Sequence, residues 1–238
     1  MQEVLHDLPR PNKQLLDTIR DISLHEHVCL LYRDKDEGLA SAGAFIQAGL
    51  EQNDQCVYVA DDNAVADVVK ALTQRGINVD AALETQQLII GTKQETYLLD
   101  GYFDPDQAIA FFAQASREAQ SSRFRAVRGC AEMTWQLGGE PGTDRLLEYE
   151  SKMNSELFPN NNVLGVCQFN LSSFSPWIIR EVIYTHPVVI VGGLVCVNLY
   201  YKSPGVYRPR VSSENAELDI KRMLKEIFAF AKIRYNLV

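Results

Sequence analysis

The stretch FRAVRGCAEMTW, residues 124 to 135, decides how this chain is read. It opens on small and β-branched residues and closes on a carboxylate, a thioether and an indole. A short, mostly apolar run that closes on a carboxylate fits a strand buried on both faces. Strands of that kind belong to parallel sheets covered by helices, so the flanking sequence must supply both.

It does. HVCLLY (27–32), QCVYVA (55–60), QLIIGT (87–92) and VLGVCQFN (163–170) are further buried-strand patterns. Between them lie helical segments. Residues 39–52 carry good helix formers, and DDNAVADVVKALTQRG offers Asp61 or Asp62 as a cap and Gly76 as a stop. A third helix has Asp104 as cap and Pro105 in its first turn; a fourth starts at Thr143 or Asp144; SPWIIREVIYT makes a fifth. PVVIVGGLVCVNLY is one bent strand or a tight pair. The expected fold is α/β, a largely parallel sheet with helices on both faces, in one domain.

Two segments flank that core. Residues 1–23 read as a leader containing a short amphipathic helix through Leu15, Leu16, Ile19 and Ile22. Residues 204–238 read as a helical tail capped by Ser212 or Ser213. Its Ile220, Leu224, Ile227 and Ala231 follow a 4–3–4 spacing, which suits packing on the domain or pairing with a second copy in a homodimer. The expected boundaries are 1–23, 24–203 and 204–238.

Composition narrows the function classes. With 46% hydrophobic and 23% charged residues, the 238-residue chain can bury a large core. The longest apolar run, Val188 to Tyr200, is glycine-interrupted and shorter than the roughly 20 residues of a membrane helix. No apolar signal core follows the N-terminus, so a cytoplasmic location is expected and no membrane partner. Cys29, Cys56, Cys130, Cys167 and Cys196 all sit in apolar runs and read as buried thiols. The net charge is −8, divided as +4 from Lys202 onward and −12 before it. An acidic body argues against direct nucleic-acid binding.

In open α/β sheets, ligands gather outside the carboxyl ends of the strands. The polar residues that end these apolar runs are Tyr32, Asp61, Asp62, Glu132, Trp135, Gln168 and Asn170. Glu132 is thereby expected to anchor a pocket walled by Trp135 and Tyr32. Arg128 lies four residues earlier on the same strand face, where it either pairs with Glu132 or helps it orient a ligand. On the fourth helix Tyr149, Met153 and Glu156 share one face, Glu150 and Asn154 another, and the spacing does not say which turns inward. Pro187 holds His186 extended. Asn198 interrupts an apolar strand and needs partners if buried. His25 and His27 share a strand face, with His186 at another strand mouth; this is weak metal-ligand spacing, and neither a metal nor a cofactor is expected.

The strand–helix order resembles a RecA-type core, but the loop after the first strand, YRDKDEGLAS, lacks GxxxxGK[ST] and carries Asp34, Asp36 and Glu37. Phosphates would be repelled there. Neither a nucleophile elbow nor a Cys–His motif is recognisable, so no catalytic residue is assigned.

HVCLLY, AGLEQNDQCVYVA, RGCAEMTW, LLEYESKMN, VLGVCQFN and HPVVIVGG…NLYY follow one another in an order that resembles the MEDS domain, over residues 24 to 203. The resemblance implies a RecA/KaiC-like fold without Walker A, followed here by a C-terminal helix. It implies a non-catalytic sensory module for small organic molecules, coupled to a histidine kinase or a transcription regulator. Its recurring polar positions fall on His27, Tyr32, Arg128, Glu132, Trp135, Tyr149, Glu150, Asn154, Gln168, His186, Asn198 and Tyr201. The alternatives are a ligand-free interaction scaffold and a residual nucleotide binder.

Overall fold

The structure, a computed structural model, describes residues 9–11, 13–209 and 214–235. The expected caps Ser212 and Ser213 lie outside the described residues. Helix α1 (Lys13–Arg20) leads into strand β1 (His27–Tyr32), then α2 (Lys35–Glu51), β2 (Gln55–Ala60), α3 (Val65–Gln74), α4 (Val79–Glu84) and β3 (Leu88–Thr92). There follow α5 (Pro105–Ser121), β4 (Val127–Glu132), α6 (Leu146–Lys152), β5 (Val163–Asn170), α7 (Pro176–Thr185), the β6 (Val188–Val191) and β7 (Leu194–Val197) pair, and α8 (Ala216–Arg234).

The sheet runs β3-β2-β4-β5-β1-β6-β7. Every neighbouring pair is parallel except β6 with β7, which are antiparallel. Gly192 and Gly193 make that hairpin's turn at φ 57° and 71°, a left-handed path that glycine takes without steric cost. The tight-pair reading of this segment is therefore the correct one.

Because side chains alternate across each strand, the sheet divides the interior into two cores. On one face Val127, Ala131, Cys167, Phe169, Cys29 and Leu31 meet α5, α6, α7 and α8. On the other Val28, Leu30, Tyr32, Cys56, Tyr58, Cys130 and Val166 meet α1 to α4. Leu15 and Ile19 of α1 are buried in this second core. In α8, Ile220, Leu224, Ile227 and Ala231 are all buried in the first core, where the helix packs on α7 and β7. The 4–3–4 seam faces the chain's own domain.

The local signals divide in their accuracy. Asp104 caps α5, accepting from the N–H groups of Asp106 and Gln107 with Pro105 at the first position. Asp61 and Asp62 do not cap α3: it begins after Ala64, whose side chain gives no cap, and the Asp61 carboxylate is held by Thr134 and Lys93. Asn215, with φ 59°, takes the cap position of α8 without a side-chain cap bond.

Candidate functional site

The carboxyl ends of the strands hold a polar knot centred on Glu132. Glu132 Oε1 accepts from the Tyr58 hydroxyl at 2.5 Å and from Asn63 Nδ2 at 2.7 Å. Its Oε2 accepts the backbone N–H groups of Asp61 and Asn63, both at 2.9 Å. Glu132 thus fixes the β2–α3 loop, and four donors occupy its carboxylate. Tyr32 and Gln168 stand on the same side of the sheet; Tyr32 is packed against Gly38, where an added Cβ would meet its ring at 2.9 Å.

Arg128 does not reach Glu132. It is fully buried at the opposite end of β4, with Nε 3.0 Å from Asp54 Oδ2, Nη2 3.0 Å from Gln52 Oε1 and its guanidinium over the Phe45 ring at 4.8 Å. Trp135, on a 3-10 turn after β4, is fully buried on the other side of the sheet. It stacks on Tyr97 at 4.9 Å and against Phe103 at 4.4 Å. The expected single pocket, with Trp135 and Tyr32 as walls and Glu132 and Arg128 inside, is therefore divided by the sheet itself.

The loop that would hold phosphate in a RecA-type core is occupied by its own carboxylates. Asp34 caps α2, accepting the Glu37 N–H at 3.0 Å, and Glu37 pairs with Arg33 at 2.7 Å. Negative charge stands where the helix N-terminus would otherwise attract an anion.

Two features lie together on the α5–α8 face. The first is an apolar cavity of about 30 Å³ over β4 and β5, walled by Tyr97, Phe112, Tyr149, Met153, Leu157 and Phe158 and floored by Gly129, Gly165 and Cys167. Gly129 pairs with Gly165 in register; the missing side chain at Gly129 leaves open space, and the one at Gly165 lets the Phe158 ring close over the strand. Tyr149 meets Tyr97 and Phe103 edge-on.

The second is a buried polar cluster at the amino ends of β1 and β6. Glu150 Oε2 lies 3.1 Å from His27 Nε2 and 3.2 Å from His186 Nε2. His27 Nε2 is 3.4 Å from Cys167 Sγ, and the two imidazole centroids are 3.8 Å apart. All four residues are buried. Burial, then the charge of His186, holds His27 down at about 4, despite Glu150. For Glu150 burial acts the other way, but the two imidazoles outweigh it and keep its carboxyl well below the usual range.

The helix facing both features changes its winding. After α6, residues Met153–Leu157 form a π-helical turn, a widening that often marks functional positions. Both faces of the helix turn inward. Tyr149, Met153 and Leu157 meet the cavity, while Glu150 and Asn154 meet the histidines; Glu156 is exposed. Asn198 is structural in its contacts: its Nδ2 donates to Ile183 O and His186 O, and its Oδ1 accepts the Tyr200 N–H. The Tyr201 N–H donates to Asn198 O at 3.4 Å.

The histidine spacing misleads. His25 is exposed at φ 71°, with Nδ1 near Phe158 O and Asn161 O, and takes no part in the cluster. The partner of His27 is His186, brought alongside by the parallel pairing of β1 with β6. The missed contributor is Cys167, which sequence reading placed among inert core thiols.

A family model described as "MEthanogen/methylotroph, DcmR Sensory domain" matches residues 26–187. The transcriptional repressor DcmR of Methylorubrum extorquens is 24% identical over 168 residues, covering 70% of this chain. The match spans only 60% of that protein's length. The crystal structure of a KaiC-like protein from Pyrococcus horikoshii superposes with a TM-score of 0.50 at 14% identity, covering 71% of each chain. That likeness is one of fold, and it makes this sheet and its helices RecA/KaiC-like. Among the described residues, no helix is long and apolar enough to cross a membrane.

Proposed function

Since the chain belongs to the methanogen/methylotroph, DcmR sensory (MEDS) family, we propose that it senses a small organic molecule in the cavity over β4 and β5 and passes the cavity's state to a partner through α7 and α8. The observation that carries this reading is the in-register glycine pair, Gly129 beside Gly165, under an aromatic wall. A parallel-sheet core ordinarily fills such positions with branched side chains. A space of about 30 Å³ takes a molecule of very few heavy atoms, and its apolar lining favours an uncharged one. Tyr149 would touch the ligand, and Trp135 would hold Tyr97 in place behind it.

The route outward runs through α7. Its C-terminus carries His186, and its flank packs on α8, where Arg180 faces Asp219 and Glu181 accepts from the Tyr207 hydroxyl at 3.1 Å. A ligand moves such an element only by binding its two arrangements unequally. The partner class that fits the DcmR relative is a transcription regulator; a histidine kinase would use the same surface.

The test is a thermal-shift series with one- to three-carbon alcohols, amines and halides on the wild type and Gly129→Ala. An added Cβ at Gly129 meets nothing within 4 Å, so the methyl fills space without a clash. Stabilisation of the wild type that disappears in Gly129→Ala is the expected result. Equal shifts in both proteins, or none in either, would sink the cavity reading.

A further inference from the structure

The polar cluster beside the cavity has a donor arrangement that hydrogen bonding alone does not satisfy. The His186 Nδ1 lies 2.7 Å from the Val182 carbonyl oxygen, which can only accept, so Nδ1 carries the proton. Asn154 Nδ2 donates to the carbonyl oxygens of Glu150 at 3.0 Å and Thr185 at 2.7 Å, which turns Asn154 Oδ1 toward His27 Nδ1 at 3.3 Å. His27 Nδ1 therefore carries its proton as well.

Both Nε2 atoms are left with lone pairs aimed at the Glu150 carboxylate, and His27 Nε2 also meets Cys167 Sγ. Neither Nε2–Oε2 approach has hydrogen-bond geometry, and both Glu150 oxygens are buried without a donor. A proton on one Nε2 would relieve one contact and leave the other acceptor against acceptor. One cation relieves all of them together.

We propose that His27, Glu150, Cys167 and His186 are the four protein ligands of a tetrahedral site for a divalent first-row transition metal, zinc above all. The distances fit. Metal–ligand bonds of about 2.0 Å to nitrogen or oxygen and about 2.3 Å to sulfur give tetrahedral edges of roughly 3.3 to 3.6 Å. Three of the six ligand–ligand edges are 3.1, 3.2 and 3.4 Å; all four donor atoms lie within 4.8 Å of one another, so the longer edges close by small side-chain shifts when a metal binds.

The surroundings fit too. Imidazoles that bind metal through Nε2 are usually oriented by an Nδ1–H bond to a carbonyl or carboxylate, as Val182 and Asn154 do here. A mixed nitrogen, oxygen and sulfur set suits zinc, and four protein ligands leave no open position, the pattern of a structural site. The metal would tie β1, β5, α6 and the end of α7 at one point. Through Cys167 it would also touch the floor of the cavity. The site stands on this geometry alone and is independent of the sensing proposal.

The test uses the full chain produced in cobalt-supplemented minimal medium, so that the buried site loads as the protein folds. One cobalt(II) per chain is expected, with the visible bands of a tetrahedral centre and a near-ultraviolet thiolate-to-cobalt charge-transfer band. Cys167→Ser should keep a visible spectrum and lose the charge-transfer band, while His25→Ala should leave both unchanged. A folded wild type that carries no metal after growth with zinc, iron or cobalt would overturn the site. So would bound cobalt with a six-coordinate spectrum, or a charge-transfer band that survives in Cys167→Ser.

Discussion

Gly165 lies under the ring of Phe158, and Phe158 in turn stacks on His27 at a centroid distance of 4.8 Å. A Cβ at Gly165 would meet the Phe158 ring at 2.9 Å, closer than real side chains approach. Gly165→Ala must therefore displace the Phe158 ring that stacks on His27, whereas Gly129→Ala on the adjacent strand meets open space. Overpacking of this kind costs about 1–3 kcal/mol. Urea denaturation should show that loss for Gly165→Ala and none for Gly129→Ala. Equal stabilities would mean that the ring moves freely and does not connect the cavity to the histidines.

Glu132 supplies a second prediction. It accepts from four donors, two of them backbone N–H groups of the β2–α3 loop. In Glu132→Gln an NH2 group faces donors in place of an acceptor. Hydrogen bonds to a charged group contribute about 1.5–3 kcal/mol each, and a buried unmet donor adds its own cost. A loss of roughly 3 kcal/mol is expected in the unfolding free energy. Hydrogen exchange should quicken at the Asp61 and Asn63 amides first. Unchanged exchange there would show that the loop is held by other contacts.

Residues 124–135 show how far the sequence reading goes. It places a buried strand with a polar anchor at its carboxyl end, and Glu132 is such an anchor, for a loop. It also puts Arg128 and Glu132 on one face, which is right, but four residues along a strand span about 13 Å, too far for an ion pair. Which face of α6 turns inward could not be read from a 3.6-residue repeat, because both do: Tyr149 meets the cavity and Glu150 the histidines. The His27–His186 contact depends on β1 pairing with β6, a long-range register that local pattern does not encode. Cys167 looked like its four apolar neighbours among the thiols, and only its position beside His27 separates it from them.

Asp54 and Arg128 are both fully buried and 3.0 Å apart, with Arg125 holding the second Asp54 oxygen at 2.8 Å. Removing one partner of such a pair strands a charge in the core. Asp54→Ala should cost about 3–5 kcal/mol. Asp54→Ala combined with Arg128→Met should recover most of that, since no buried charge remains. The double-mutant cycle by chemical denaturation reads this directly, and additive losses would show that Gln52 and the Phe45 ring suffice to hold the guanidinium.

The pH dependence of stability follows from His27. In the folded metal-free chain it stays neutral down to about pH 4, because burial and the neighbouring His186 oppose its protonation. In the unfolded chain a histidine takes up its proton near pH 6.5. Between these values the unfolded state binds more protons, so stability is greatest above about pH 6.5 and falls as pH is lowered toward 4. The contribution across that window is about 3 kcal/mol. Glu150, held below the usual carboxylate range, adds loss of the same sign at still lower pH. Denaturation with chelator present should therefore give a stability curve that slopes downward between pH 6.5 and 4. In His27→Asn that slope should flatten while the steeper fall below pH 4 persists. A slope of the same size in His27→Asn would assign the acid sensitivity to other groups.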